Sequence, residues 1–392
     1  MNIAIVVSTN FNDKGGLFYA VHDRIKYLRQ KENVKVDAFN VQAYPCFFRR
    51  IISLSGKKIL RKGQYYYDGV NYKLIWVPTF LLDSLLHKIL RLNYPFRKIF
   101  IKKAIVNFKN YDLISAHSTF AAYFAKQIAD RYKIPFTATW HGSDINVAAF
   151  SSVSDFNLTK KIIKSANYNF FVSKVLYEKS KDIYPSKRYS VIYNGVDETF
   201  KKLPDRDVAQ IKNELKITDK QVIAFVGNLV PVKNVLILPD IFEKLFILNN
   251  NLVFWIVGDG YLRNDLIKLC NNKKIPVKFW GRCDRNLMEK LYNVIDLIIL
   301  PSKNEGLSLV LLEAIACGVN AVGSDRGGIP EVLNKENVFP LDDDFVNKIV
   351  QRSNQLLSVK SERIELNSIF KWNSIIDKEY KIFKEIINGN FQ

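Results

Sequence analysis

Two carboxylates, Glu305 and Glu313, stand at either end of the stretch "EGLSLVLLEA". Glu313 lies among Leu309, Val310, Leu311, Leu312, Ala314, Ile315 and Ala316, and no Lys or Arg stands between Asn304 and Gly323 to neutralise it. A carboxylate taken out of water is costly unless something pairs with it. One chemistry that meets the need is a vicinal diol, both of whose hydroxyls a carboxylate accepts, as acidic residues do for a ribose in dinucleotide folds. Gly306, Leu307 and Ser308 open the apolar run. If that run is a helix, their backbone N–H groups form an anion site. One loop and helix would then hold a diphosphate at its start, a ribose at Glu313 and another hydroxyl at Glu305. The plainer alternative is that Glu313 pairs with a distant arginine or caps a backbone.

Other candidates follow apolar runs in the same way. Lys233 and Asn228 lie in "VGNLVPVKNVLIL", where a cation suits a diphosphate. Gly258 and Gly260 give G-x-G without a third glycine. "TATWHGSDIN" places His141 and Asp144 directly after an apolar run, and His117 ends "YDLISAH", where a structural role is the simpler reading. Gly15 and Gly16 offer bare backbone that can approach a phosphate or sugar, although a plain tight turn is the simpler reading. The full G-x-G-x-x-G fingerprint is absent from the first loop. "DDD" at 342–344 reads as a helix cap, and the four cysteines lie far apart, so no metal site is expected.

These residues need elements to position them. "IAIVVS", "VKVDAF", "YKLIWV", "YDLISA", "FTATW" and "NFFVS" read as buried strands separated by helical patterns. A second series follows: "VIAFVG", "LVFWIVG", "VKFWG", "DLIILP" and "NAVGS". Continuous apolar strands alternating with helices mean parallel sheets covered on both faces. The expectation is an α/β chain of two doubly wound, Rossmann-like domains, residues 1–200 and 201–369, with ligands in a cleft at the strand carboxyl ends. An amphipathic helix at 370–392 carries Trp372, Ile375, Ile376, Tyr380, Ile382, Phe383 and Ile386.

The 392 residues are 48% hydrophobic and 24% charged, a globular composition. Separated cysteines and an N-terminus that reads as a strand, not a leader, lead to a cytoplasmic expectation. The net charge of +20 is uneven: +17 falls in residues 1–200 and +3 in 201–392. Residues 47–110 hold 14 Lys and Arg against 2 acidic residues, mixed with Phe47, Phe48, Tyr65–Tyr67, Trp76 and the run Phe80–Leu92. Such a mixture suits an anionic membrane surface, with a solvated lysine-rich face as the alternative. No nucleic-acid motif accompanies the charge, so nucleic acid is not expected as a partner.

Taken in order, Gly15-Gly16, "HGSD" at 141–144, "NGVD" at 194–197, "GNLVPVKN" at 227–234, "GDG" at 258–260, "EGLSLVLLEA" and "SDRGGIPEV" at 324–332 resemble family 4 of the retaining glycosyltransferases, which have the GT-B fold. "TWHGSDIN" is most similar to bacterial enzymes of cell-surface polysaccharide synthesis, of the teichuronic-acid type. The resemblance implies a nucleoside diphosphate sugar as donor, with UDP favoured over GDP, and neither cofactor nor metal. Glu313 would bind the ribose, Glu305 the sugar hydroxyls, and Lys233 with Gly306, Leu307 and Ser308 the diphosphate. His141 and Asp144 would stand near the sugar, Gly15 and Gly16 near the phosphate, and Gly258 in the donor loop. Many members carry arginine where this chain has Asn228. The terminal helix would return to the first domain. The acceptor would be a glycan, polyprenyl-linked, reached peripherally at the inner face of the membrane. Two other classes remain, a nicotinamide-dependent oxidoreductase and a non-catalytic glycan- or membrane-binding protein.

Overall fold

The computed structural model describes residues 1–11, 14–45, 63–91, 94–358 and 366–389. The chain divides into two compact units, Met1–Asn194 with Trp372–Gln392, and Gly195–Lys371.

The first unit is built on a sheet of β1 (Asn2–Val7), β2 (Lys35–Pro45), β3 (Gln64–Tyr67), β4 (Val70–Thr79), β5 (Leu113–His117), β6 (Phe136–Trp140), β7 (Tyr168–Phe171) and β8 (Tyr189–Val191), in the order β3-β4-β2-β1-β5-β6-β7-β8. All neighbours are parallel except β3 and β4. Those two form a hairpin closed by Asp68 and Gly69, both at positive φ, the backbone that a two-residue hairpin turn requires. Val6, Ile5, Ala4 and Ile3 are wholly buried, which explains why β1 reads as an unbroken apolar run. Only part of the aromatic stretch faces outward. Tyr65 and Tyr67 pack on Phe11 and Phe18, with ring centroids 4.4 and 5.2 Å apart, while Tyr66 between them is exposed. Strand alternation splits the three tyrosines between two faces. Phe47 and Phe48 lie outside the described residues.

The terminal helix, Trp372–Ile387, belongs to this unit and packs on helix Gly16–Leu28. Its buried face holds Trp372, Ile376, Phe383 and, among them, Glu379. Glu379 Oε2 accepts a 2.8 Å hydrogen bond from Arg24 Nε, and both side chains are completely buried. Removing either partner would strand the other's charge, so the pair ties the end of the chain to its first helix.

The second unit has β9 (Gln221–Val226), β10 (Leu252–Val257), β11 (Val277–Gly281), β12 (Leu297–Leu300), β13 (Asn320–Ser324) and β14 (Val338–Phe339). All pair in parallel, in the order β11-β10-β9-β12-β13-β14. The winding reverses between β1 and β5 in the first sheet and between β9 and β12 in the second. Loops at the carboxyl ends of those strands are where such folds bind ligands. Among the described residues, no helix is long and apolar enough to cross a membrane.

Candidate functional site

Lys233 and Glu305 meet at the switch point of the second sheet. Lys233 ends the short turn Pro231–Lys233 after β9, and Glu305 lies in the loop after β12. Lys233 Nζ donates to Glu305 Oε1 at 2.5 Å, and Ser302 Oγ donates to the same oxygen at 2.9 Å. Lys303 N–H bonds Val232 O at 2.8 Å and joins the two loops through their backbones. Among the described residues nothing bonds Glu305 Oε2, so one carboxylate oxygen stays open. The backbone N–H groups of Gly306, Leu307 and Ser308 also meet no acceptor among the described residues. Ser308 caps helix Leu309–Ala316, its hydroxyl accepting from Leu311 N–H. This arrangement can hold an anion: the lysine is already neutralised by a carboxylate, so the attraction would come from the helix start and the spare N–H donors of Lys233.

Glu313 is not at the centre of a fully buried helix. Leu309, Val310, Glu313 and Ala316 are all half-buried, while Leu311, Leu312, Ala314 and Ile315 are buried. The open residues fall on one stripe of the helix. The apolar residues flanking Glu313 on that stripe hid its direction from the sequence. Tyr292 Oη donates to Glu313 Oε2 at 3.1 Å from helix Arg285–Val294. Burial and the neighbouring Glu313 charge push the Cys317 thiol up to about 12.

Glycines fit these loops together. A Cβ on Gly258 would lie 1.9 Å from Gly227 O, one on Gly260 2.3 Å from Leu229 O, and one on Gly327 2.1 Å from Glu305 O. Gly328 N–H bonds Glu305 O at 3.1 Å. The second glycine pair therefore holds the Glu305 loop, and Gly258 holds the loop that carries Asn228. Asn228 itself is exposed, and its carbonyl accepts from Val230 N–H.

In the first unit, His141 and Asp144 follow β6. The Asp144 carboxylate is spent on its own turn, accepting from the N–H groups of His141, Gly142 and Ile145. It shapes the loop that carries His141. His141 Nε2 meets His117 Nδ1 at 3.1 Å, and His117 Nε2 meets Ser115 Oγ at 3.3 Å. His141 Nδ1, Ser118 Oγ and Thr119 Oγ1 are buried without a protein partner among the described residues. Ser118 also holds a φ of +88°, a strained backbone for a residue other than glycine. Orphaned polar atoms thus lie beside a strained residue at the carboxyl ends of β5 and β6. Gly15 precedes helix Gly16–Leu28, and a Cβ there would meet no atom of the described residues beyond its chain neighbours within 4 Å.

Burial, with the Arg24 charge second, lowers His141 to about 3, and the same causes hold His117 well below its usual value. Both rings are neutral in the folded chain and take up protons on unfolding. Stability therefore rises with pH across this range and is lost as pH falls from about 6.5 towards 3. Asp144 acts in the opposite sense, because burial raises its carboxyl. At pH 5 the His141 contribution alone is about 2 kcal/mol, or roughly 4–8 °C in Tm for a unit of this size. Thermal unfolding of wild type and His141→Gln at pH 7 and pH 5 checks this, and the pH sensitivity is expected to shrink in the variant.

Two families match this chain. Residues 207–368 match "Glycosyl transferases group 1", and residues 15–200 match "Glycosyltransferase Family 4". The first match lies within Gly195–Lys371, and the second covers most of Met1–Asn194. The group 1 domain contains Lys233, Glu305 and Glu313, and the family 4 domain contains His117, His141 and Gly15. The chain is 34% identical over 236 residues to N-acetyl-alpha-D-glucosaminyl L-malate synthase of Bacillus anthracis, a match covering 57% of this chain and 59% of that protein. It is 28% identical to the putative teichuronic acid biosynthesis glycosyltransferase TuaC of Bacillus subtilis, over 57% of this chain and 56% of TuaC. The chain thus spans somewhat over half the length of these two relatives. Its fold matches the crystal structure of Anabaena HepE in complex with UDP, at a TM-score of 0.70 and 17% identity, over 98% of this chain and 100% of that one. The fold is GT-B.

The sequence points to Lys233, Glu305 and Glu313, but not to Tyr292 or Ser302, which the structure bonds to the two carboxylates. Tyr292 lies 21 positions before Glu313, on a different helix, and carries no local signal. In the family 4 domain, Ser118 and Thr119 went unread, and His117 read as structural. The "HSTF" run after β5 repeats the polar break seen in "HGSD" after β6, and that parallel was the available signal. Among the described residues no cluster of His, Cys, Asp and Glu could hold a metal ion.

Proposed function

We propose that this chain transfers a sugar from a nucleoside diphosphate sugar, with UDP preferred to GDP, to a hydroxyl of a lipid-linked cell-surface glycan precursor, with retention at the anomeric carbon. The observation that carries the reading is the Lys233–Glu305 pair beside the open N–H groups of Gly306–Ser308, with Glu313 farther along the same helix. The departing diphosphate gains negative charge. Lys233 and the helix start stabilise it, and charge stabilisation of this kind is usually a large catalytic contribution. Glu305 Oε2 accepts from a sugar hydroxyl, and Glu313 accepts from the ribose. In the first unit, His141 Nδ1 is left for a substrate hydroxyl. Neither a metal nor a cofactor is assigned. No side chain is assigned as a nucleophile, so attack comes from the leaving-group side, with a donor phosphate oxygen taking the acceptor proton. The basic first half of the chain supports an anionic membrane as the place where the acceptor is met, at its cytoplasmic face.

Thermal unfolding with UDP, GDP, ADP and NAD tests the donor site. A ligand at a hundred times its dissociation constant adds about 2.7 kcal/mol of stability. One nucleoside diphosphate, UDP first, is expected to raise Tm in wild type but not in Glu313→Ala. A rise with NAD alone would replace the reading with a nicotinamide-dependent oxidoreductase.

A further inference from the structure

We infer that the helix pair Leu81–Ile89 and Pro95–Ala104 of the first unit is a docking face for an anionic phospholipid bilayer. This rests on the lipid-linked acceptor of the proposed function and names the surface that reaches it.

The inner faces of the two helices are fixed. Asp83 is wholly buried, and its two oxygens accept from Phe96 and Arg97 N–H, each at 2.9 Å, which seats the start of the second helix on the first. His87, also buried, bonds Asp155 at 3.0 Å and stacks on Tyr94 at 3.9 Å. At about 100° per residue, Leu82, Leu85 and Ile89 lie opposite Asp83 and His87, within an arc of roughly 60°. Leu85 is 53% and Ile89 66% exposed. The second helix buries Ile101 and turns Phe96, Ile99 and Lys103 outward, with Val106 just beyond its end continuing the stripe. Phe80 packs on Phe96 and Phe100, with ring centroids 6.0 and 5.7 Å apart, and joins the two stripes. Ser154, next to the exposed Val153, donates to His87 O and extends the face.

A run of large apolar side chains exposed at helical spacing marks an interaction surface. Charge selects its partner. Residues 80–110 contain seven Lys and Arg and one acidic residue, Asp83, whose oxygens are already used within the fold. Arg91, Lys98, Lys102 and Lys103 are all exposed around the apolar stripes. A second copy of this chain paired symmetrically on this face would set lysine against lysine. A bilayer with anionic headgroups takes the leucines into its interface and the lysines at its surface.

Co-sedimentation with vesicles of phosphatidylcholine, with and without phosphatidylglycerol, is the test. Wild type is expected to bind the phosphatidylglycerol vesicles and to be released by salt. Leu82→Ser/Leu85→Ser/Ile89→Ser is expected to weaken binding about tenfold or more. Lys98→Gln/Lys102→Gln/Lys103→Gln is expected to lose about fivefold per charge removed. Both variants should keep the wild-type Tm rise with the nucleotide, which shows that they fold and separates this inference from the donor-site reading. No binding of wild type at low salt, or undiminished binding by the leucine variant, would overturn the proposal. So would a wild-type dimer in solution that the leucine variant converts to monomer. A lost nucleotide response with intact vesicle binding would count against the donor site alone.

Discussion

Lys233→Ala is expected to weaken binding of the nucleoside diphosphate roughly a hundredfold, about 2.7 kcal/mol. Two effects add. The diphosphate loses the free N–H donors of Nζ, and Glu305 is left as an unneutralised carboxylate beside it. Among the described residues the Glu305 carboxylate then keeps only Ser302 Oγ as a partner, so the variant also loses stability, by about 1–3 kcal/mol. Glu305→Gln separates the two effects. It leaves Lys233 with its full charge, so it is expected to bind the free diphosphate as well as wild type or better. Sugar transfer should nevertheless fall steeply, because the acceptor of the sugar hydroxyl is altered. Isothermal titration of both variants decides the matter. Equal weakening in both would mean that the pair is only a loop clamp.

Gly327→Ala is expected to lower Tm by about 8–15 °C and to abolish the nucleotide response. Gly327 sits at φ +58°, where a Cβ costs about 1–2 kcal/mol by itself. The added carbon would also stand 2.1 Å from Glu305 O and 2.5 Å from Glu305 N. Both are backbone atoms, so no side-chain rotation relieves the overlap, and the Glu305 loop or the glycine loop must move. A total cost of about 4 kcal/mol in a unit of this size gives the stated shift. Gly15→Ala is the control. Its φ is −92° and its surroundings are open, so Tm should not change. A wild-type Tm for Gly327→Ala would show that the two loops are not packed as described.

The parallel cores of the two sheets were legible because their strands are short apolar runs, and burial on both faces leaves no other composition, whereas the edge strands β3, β8 and β14 carry no such run. The glycine pair at 327–328 was legible as a motif, but not as the clamp on Glu305. The direction of Glu313 was not legible. Every neighbour on its helix is apolar, so periodicity gave no polar side, and only packing against Tyr292 and the buried Leu311 and Leu312 set which stripe stays open. The tyrosines at 65–67 read as one aromatic surface, yet hairpin alternation divided them.

Sequence alone determined the elements and the chemical kinds of residue that follow them, because helix and strand periodicities and turn chemistry act over a few neighbouring positions. It placed Lys233, Glu305 and His141 at strand ends or just beyond, and Glu313 farther along the helix that follows Glu305. Partnership was decided only by the tertiary structure. Lys233 and Glu305 are 72 positions apart, and Arg24 and Glu379 are 355 apart. His117 and His141 meet because β5 and β6 are neighbours in the sheet, and Lys233 and Glu305 because β9 and β12 flank a switch point. Such pairings depend on strand order and register, which the whole core sets and no local stretch encodes.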